Sequence, residues 1–166
     1  MRLFIGIQLS EQMRKSLIAV MHDLKQQGVN GSYVPVDNMH LTLAFIGETK
    51  DAERVQAVMD GIRPGKFRLT LDGSGYFGDL MWVGVKSGQA LKKYASDLKM
   101  ALKEQGLPCD MKKLEPHITI VRKVKGPRPS SVKVPRQEMD VTKISLMRSD
   151  VVNGKRVYKE IYSVRT

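Results

Sequence analysis

Hydrophobic residues follow two different spacings along this chain, and segments of the two kinds alternate. Apolar residues recur every third or fourth position over about 10–28, 51–62 and 87–104, which predicts three amphipathic helices. Short apolar or alternating runs around these segments predict strands. The predicted strands cover residues 3–8, 39–46, 67–71, 80–85, 141–147 and 156–162, and a further strand begins at His117. We therefore expect an α+β chain.

Two glycine-containing segments mark connections between strands. Asn153-Gly154 separates the last two predicted strands and is a strong hairpin signal. Residues 73–78 spell G-x-G-x-x-G directly after a strand, which is the pattern of a dinucleotide-binding turn. Because a strand rather than a helix follows, no helix N-terminus is available to hold a pyrophosphate. We interpret residues 72–78 as a hairpin connection.

Two of the predicted strands carry the same motif, His-x-Thr. His40 and Thr42 are two residues apart, as are His117 and Thr119, so each pair faces one side of its strand while apolar neighbours face a core. Two of the three histidines of the chain lie in this motif, and the third, His22, is interpreted as an ordinary surface residue of the first helix. Either strand alone is best interpreted as a sheet segment with a surface histidine. Two such strands at equivalent places indicate a shared site.

The positions of the motifs fit an internal duplication. His40 and His117 are 77 residues apart, and the same offset carries residues 3–5 onto residues 80–82. In each half a strand, an amphipathic helix and a His-x-Thr strand follow in this order. Two related lobes would then present one His-x-Thr face each to a shared cleft.

We expect one domain that contains both lobes. Residues 1–166 are predicted to form a single bilobal domain, with pseudo-repeated halves at about 1–50 and 78–125. The single cysteine, Cys109, excludes a disulfide framework or a zinc site built from cysteines of one chain. No apolar run reaches the length of a membrane span, and the N-terminal run is too short for a signal peptide. We expect a cytoplasmic monomer that binds no membrane.

Charge favours a polyanionic partner. The 28 Lys and Arg residues outnumber the 17 Asp and Glu residues, for a formal net charge of +11. Clustered cations bind phosphates by displacing counterions, so RNA is the preferred partner, although membrane-surface proteins share this charge balance. Six Lys or Arg residues and no acid lie between Pro116 and Gln137. The basic loop predicted at 122–136 is interpreted either as a solvated loop or as a flap that faces phosphate.

The two motifs suit acid-base chemistry on a phosphodiester. One imidazole can remove a proton from the nucleophile while the other donates a proton to the leaving oxygen, because the ordinary histidine pKa is near 6.5. The threonine hydroxyls on the same face can donate hydrogen bonds to phosphate oxygens. No cofactor or metal is expected, since no cluster of carboxylates and histidines has the spacing of metal ligands.

Residues 33–48 and 116–122 resemble the paired signatures of the 2H phosphoesterases, in particular their RNA 2′,3′-cyclic phosphodiesterase branch (the LigT type). The resemblance covers essentially the whole chain. It implies a bilobal α+β fold, with antiparallel sheets around a central cleft and helices packed outside. It also implies metal-independent opening of a 2′,3′-cyclic phosphate to a 2′-phosphomonoester and, in some members, 2′,5′ joining of RNA ends.

The resemblance also assigns roles to individual residues. His40 matches the proton donor of the family and His117 its proton acceptor, while Thr42 and Thr119 match its phosphate contacts. Arg122 is a candidate for phosphate binding, although strict strand alternation would turn it away from His117 and place Lys123 on the catalytic face instead.

One departure from the family bears on substrate preference. Where members usually carry an aromatic residue close before the second motif, this chain has Leu114-Glu115, which places an acid beside the expected phosphate site.

Other functions remain open from the residues alone. The expected substrate is RNA with a 2′,3′-cyclic phosphate end, such as a tRNA fragment, or a nucleotide. One alternative is a phosphodiesterase that acts on small cyclic phosphates or 2′,5′-linked oligonucleotides. Another is an RNA- or nucleotide-binding module without turnover. The net charge favours RNA over a mononucleotide, which needs only a local cationic pocket.

Overall fold

The computed structural model describes residues 1–130 and 132–166, and it has the predicted α+β architecture. Two antiparallel sheets each carry one His-x-Thr strand, and the helices pack against them. In chain order the elements are β1 (Arg2–Gln8), α1 (Glu11–Gln26), β2 (Asn30–Tyr33), a 3-10 turn (Val36–Asn38), β3 (His40–Glu48), α2 (Ala52–Gly61), β4 (Arg68–Phe77), β5 (Leu80–Lys86), α3 (Gly88–Glu104), β6 (His117–Lys125), β7 (Glu138–Asp140), β8 (Lys143–Val152) and β9 (Lys155–Arg165).

The strand order separates the two motifs into different sheets. The His40 sheet has the order β3-β1-β8-β9, and the His117 sheet has the order β2-β6-β5-β4-β7. Each motif strand pairs with the strand that begins its half of the chain: β3 with β1, and β6 with β5. Gly6 lies opposite Thr42, and Trp82 lies opposite Thr119. The equivalent positions in β1 and β5 are therefore 76 residues apart, one fewer than the offset that relates the histidines.

Buried apolar side chains join the sheets and helices in one core. Leu41, Leu43, Ile118 and Ile120 are at most 1% exposed, so the core-facing side of both motif strands is confirmed. Helix α1 begins after its N-cap residue Ser10, whose hydroxyl accepts a hydrogen bond from the Met13 backbone N–H at 3.2 Å. In the described residues, no helix combines the length and the apolar character needed to cross a membrane.

Two segments for which the sequence predicted no strand form strands. The glycine-rich segment is not a loop, because β4 continues through it to Phe77, and the turn falls at residues 78–79. The turn-rich segment after α1 contains the short strand β2, which pairs with the outer edge of β6. Its side chains are almost all exposed, so no apolar alternation marks it in the sequence.

The predicted basic loop begins later than expected. Strand β6 continues to Lys125, because β2 supplies hydrogen-bond partners as far as Asn30 opposite Lys125. The first four residues of the loop predicted at 122–136 therefore belong to the sheet. Ser131 of this segment lies outside the described residues.

Candidate active site

The two His-x-Thr faces line one cleft between the sheets. His40 and Thr42 come from β3, and His117 and Thr119 come from β6. The cleft has a volume of about 990 Å³, which is at the upper end of the range of small-molecule sites. The fold thus brings together in space two motifs that are separated by 77 positions in the sequence.

His40 is enclosed by aromatic rings and held at both ring nitrogens. Its Nδ1 lies 2.8 Å from the backbone carbonyl oxygen of Asn38, and its Nε2 lies 2.8 Å from the Thr42 hydroxyl. Because a carbonyl can only accept, Nδ1 carries a proton and donates it to Asn38, and Nε2 of the neutral ring accepts from Thr42. The ring stacks on Phe4 at 4.5 Å and meets the edge of Tyr158 at 5.2 Å.

This enclosure sets the protonation of His40. Burial lowers the pKa of His40, the hydrogen bond to the Asn38 carbonyl partly opposes that shift, and the positive charge of Arg122 lowers the pKa further. In the free protein the neutral ring is therefore favoured near pH 7. His40 therefore takes up a second proton near pH 7 only when a bound ligand brings negative charge next to the ring.

His117 is held by the same backbone contact but has different neighbours. Its Nδ1 donates to the backbone carbonyl of Glu115 at 2.5 Å, again two residues before the histidine. The Phe77 ring lies 5.4 Å from the imidazole, and the Trp82 ring lies 6.3 Å away. Glu115 acts here through its carbonyl, while its side chain is exposed and does not line the cleft.

A bulge in each motif strand brings a further residue to the cleft. In β6, Trp82 pairs with Thr119 and Met81 pairs with Val121, so Ile120 is an extra residue. Ile120 and Val121 are both buried, and the next residue, Arg122, returns to the cleft. The expectation that alternation turns Arg122 away and presents Lys123 was therefore wrong, because the bulge shifts the alternation by one residue.

Part of the cleft wall comes from two strands, β1 and β9, in which the sequence did not indicate a site. Arg2 of β1 and Lys155 and Arg156 of β9 line the cleft and add positive charge, and Asp37 is the acid among the lining residues. The side-chain amide of Asn38 donates to the backbone carbonyl of Arg156 at 2.9 Å, which joins β9 to the residue that orients His40. The Asn153-Gly154 hairpin was predicted, but no sequence signal indicated that it packs beside His40.

The cations of the predicted basic segment divide between the cleft and the β4–β5 hairpin. Arg122 lines the cleft, whereas Arg128 donates to the backbone carbonyl of Gly78 at 2.7 Å and lies 5.2 Å from the centre of the Tyr76 ring. No group of three His, Cys, Asp or Glu side chains within residues 1–130 and 132–166 lies close enough together to hold a metal ion.

Comparisons with known proteins agree with this geometry. Residues 10–153 match the 2′-5′ RNA ligase superfamily. A Thermus thermophilus protein named RNA 2′,3′-cyclic phosphodiesterase is 30% identical, over 99% of this chain and 91% of that protein. A Thermotoga maritima protein of the same name is 28% identical, over 98% of this chain and 94% of that protein. The crystal structure of Escherichia coli LigT complexed with 3′-AMP has a TM-score of 0.83 and 27% identity, and the match covers 99% of this chain and 97% of that one.

Proposed function

We propose that this chain, which belongs to the 2′-5′ RNA ligase superfamily, hydrolyses the 2′,3′-cyclic phosphate ends of RNA to 2′-phosphomonoesters. The observation that carries the proposal is the pair of His-x-Thr faces in one cationic cleft. The relatives named RNA 2′,3′-cyclic phosphodiesterase, which match almost the whole chain, support the same reaction. The resemblance to the 2H phosphoesterases seen in the motifs is thus confirmed.

In the proposed reaction each imidazole moves one proton. Nε2 of His117 accepts a proton from water as the water oxygen attacks phosphorus, and the bond from phosphorus to the ribose 3′-oxygen breaks. Nε2 of His40 donates a proton to that 3′-oxygen, so the phosphate stays on the 2′-oxygen. In each ring the hydrogen bond from Nδ1 to a backbone carbonyl leaves the proton transfer to Nε2. In His40 this atom exchanges its contact with the Thr42 hydroxyl for the 3′-oxygen, which frees that hydroxyl to donate to the phosphate.

The negative charge of the bound substrate favours the protonated form of His40, which the donor role requires. The lowered pKa of His40 favours a neutral ring in the free protein, whereas the donor role requires a protonated one. A phosphodiester brings a negative charge beside the ring, and an anion raises the pKa of a nearby imidazole. Thr42 and Thr119 are proposed to donate hydrogen bonds to the non-bridging oxygens, and the Arg122 charge to stabilise the transition state.

The proposed substrate is RNA, and the proposed assembly is a monomer. RNA is the preferred substrate because four cationic residues, Arg2, Arg122, Lys155 and Arg156, line the cleft. Both histidines come from the same chain, so a monomer contains the whole site.

The test is incubation of the protein, in excess EDTA, with a short RNA that ends in a 2′,3′-cyclic phosphate, with separation of 2′- from 3′-phosphate products. We expect the 2′-phosphate, and a loss of about 100-fold or more in rate in both His40→Ala and His117→Ala. His22→Ala is the matched control, because His22 is exposed on α1 and does not line the cleft. RNA binding without turnover by the unmodified protein would instead identify a binding module.

A further inference from the structure

The β4–β5 hairpin carries an aromatic surface beside His117. Phe77 is 46% exposed, and its ring lies 5.1 Å from the Trp82 ring and 5.4 Å from the His117 ring. Trp82 is opposite Thr119 in the strand pairing, and Gly84 is opposite His117, so the indole is on the face of the sheet that bears the motif. We call Phe77 and Trp82 the hairpin platform.

A glycine lets the platform lie flat on the sheet. Gly75 is opposite Trp82, and a Cβ atom at Gly75 would lie 2.5 Å from the indole Cζ2. The indole therefore rests directly against the backbone of β4, in space that any other residue would fill. The indole Nε1 is buried without a hydrogen-bond partner among the described residues, so packing rather than a polar contact holds this ring.

Positive charge lies along the same hairpin. Residues 122–128 contain four cations, Arg122, Lys123, Lys125 and Arg128, and no acid. This segment is joined to the hairpin turn, since the Val124 N–H donates to the Asp79 carbonyl at 2.8 Å and Arg128 donates to the Gly78 carbonyl at 2.7 Å. Proteins bind single-stranded RNA with exposed aromatic rings that lie beside cationic residues. A base stacks on the ring, and the phosphates lie near the cations.

The platform is next to the cleft but not part of its wall. Phe4, Tyr33, Phe45 and Tyr158 supply the phenyl and phenol rings that line the cleft, whereas neither Phe77 nor Trp82 lines it. The cleft already has aromatic surface for the nucleotide that bears the reacting phosphate. The platform therefore fits a different part of the substrate.

We infer that the hairpin platform stacks a nucleobase of the RNA strand other than that of the reacting nucleotide. This inference rests on the proposed function, because it takes RNA as the substrate. It makes the enzyme selective for RNA over mononucleotides: the second base adds affinity that a nucleoside 2′,3′-cyclic phosphate lacks.

Fluorescence of Trp82 tests the inference without catalysis, because it is the single tryptophan of the chain. The probes are a five-nucleotide RNA that ends in a 2′-phosphate, which is a product and is not turned over, and a nucleoside 2′-phosphate. We expect the RNA to quench the fluorescence and the mononucleotide to leave it nearly unchanged. Phe77→Ala should weaken RNA binding by about 10-fold, the size expected from the loss of one stacked base.

Matched variants separate stacking from simple loss of apolar surface. Phe77→Tyr keeps a stacking ring and should restore RNA affinity, while Phe77→Leu keeps apolar bulk and should not. Met100→Ala is the control, since Met100 is 47% exposed on α3 and does not line the cleft. It should bind RNA like the unmodified protein.

The outcomes for the platform and for the proposed reaction are distinguishable. Equal quenching by the mononucleotide, or unchanged RNA affinity in Phe77→Ala, overturns the platform inference even if cyclic phosphate ends are hydrolysed. Quenching by RNA that depends on Phe77, in a protein that turns over neither RNA nor nucleoside cyclic phosphates, supports the platform and rejects the proposed reaction.

Discussion

The His40 sheet and the His117 sheet contain the same motif strand, but the two sheets surround it differently. Strands β3 and β6 share the burial pattern of their first six residues, and each has a bulge at its fourth and fifth residues. His40 is enclosed between Phe4 and Tyr158, whereas His117 lies beside the exposed ring of Phe77. A common backbone thus positions two imidazoles whose side-chain surroundings differ.

The residue that follows the bulge differs in chemical character between the two motif strands. In β3 it is Phe45, and in β6 it is Arg122, and both line the cleft. One lobe places an apolar ring there and the other a charge. Such differences suit a site in which one imidazole donates a proton while the other accepts one, because a protonated ring and a neutral ring are favoured by different surroundings.

The largest effect is expected from removing the Arg122 charge. Arg122→Gln should lower kcat/KM for RNA 2′,3′-cyclic phosphate by about 100-fold, because a preorganised cation no longer stabilises charge on the phosphoryl oxygens. It should also raise the pKa of His40, since the Arg122 charge lowers it. Steady-state kinetics measure the first effect, and NMR titration of the imidazole measures the second.

Lys123→Gln is the matched control for this prediction. It removes the same charge one residue further along, at a position with a φ of 53° that does not line the cleft. With a nucleoside 2′,3′-cyclic phosphate as the substrate for both variants, which does not reach the cations of the hairpin, kinetics of Lys123→Gln within about twofold of the unmodified enzyme are expected for an exposed charge without a partner in the reaction. Equal losses in the two variants would mean that overall charge, rather than the bulge that presents Arg122, supports the reaction.

An intermediate effect is expected at Asn38, where the two lobes also differ. The carbonyls of Asn38 and Glu115 hold the two histidines in the same way. Within the described residues, the Asn38 side chain also donates a hydrogen bond to a strand, at the Arg156 carbonyl of β9 at 2.9 Å, and the Glu115 side chain has no such contact. Asn38→Ala removes that hydrogen bond and should lower kcat by about 3- to 10-fold through looser positioning of His40.

Glu115→Ala keeps the backbone carbonyl that holds His117 and serves as the comparison for Asn38→Ala. Its rate should stay within about twofold of the unmodified enzyme, because the side chain is exposed and the orienting contact comes from the main chain. A larger loss in Glu115→Ala than in Asn38→Ala would reverse the expected asymmetry.

The sequence predicted the repeated features of the site better than its asymmetric ones. Alternation placed Leu41 and Ile118 in the core and the histidines on the opposite face, and the repeat indicated a shared cleft. No feature of the sequence predicted the bulges, because the residues that form them are ordinary β-formers such as Ile120 and Val121. The position of Tyr158 beside His40 depends on how β9 packs in the sheet, which local patterns do not encode.

The smallest change in rate, but a clear change in titration, is expected when the enclosure of His40 is opened. Tyr158→Ala exposes the ring to water on the side that Tyr158 covers. Because burial is the main cause that lowers the pKa of His40, its pKa should rise toward the ordinary histidine value near 6.5. The proton would then be bound up to a higher pH, and kcat at pH 7 should change by no more than about threefold, since the imidazole and its contacts with Asn38 and Thr42 remain.

NMR titration of the ring protons follows His40 directly, with the His22 and His117 signals in the same spectrum as references. A His40 pKa that stays where it was, or falls, would show that the charge of Arg122 rather than the aromatic enclosure lowers it.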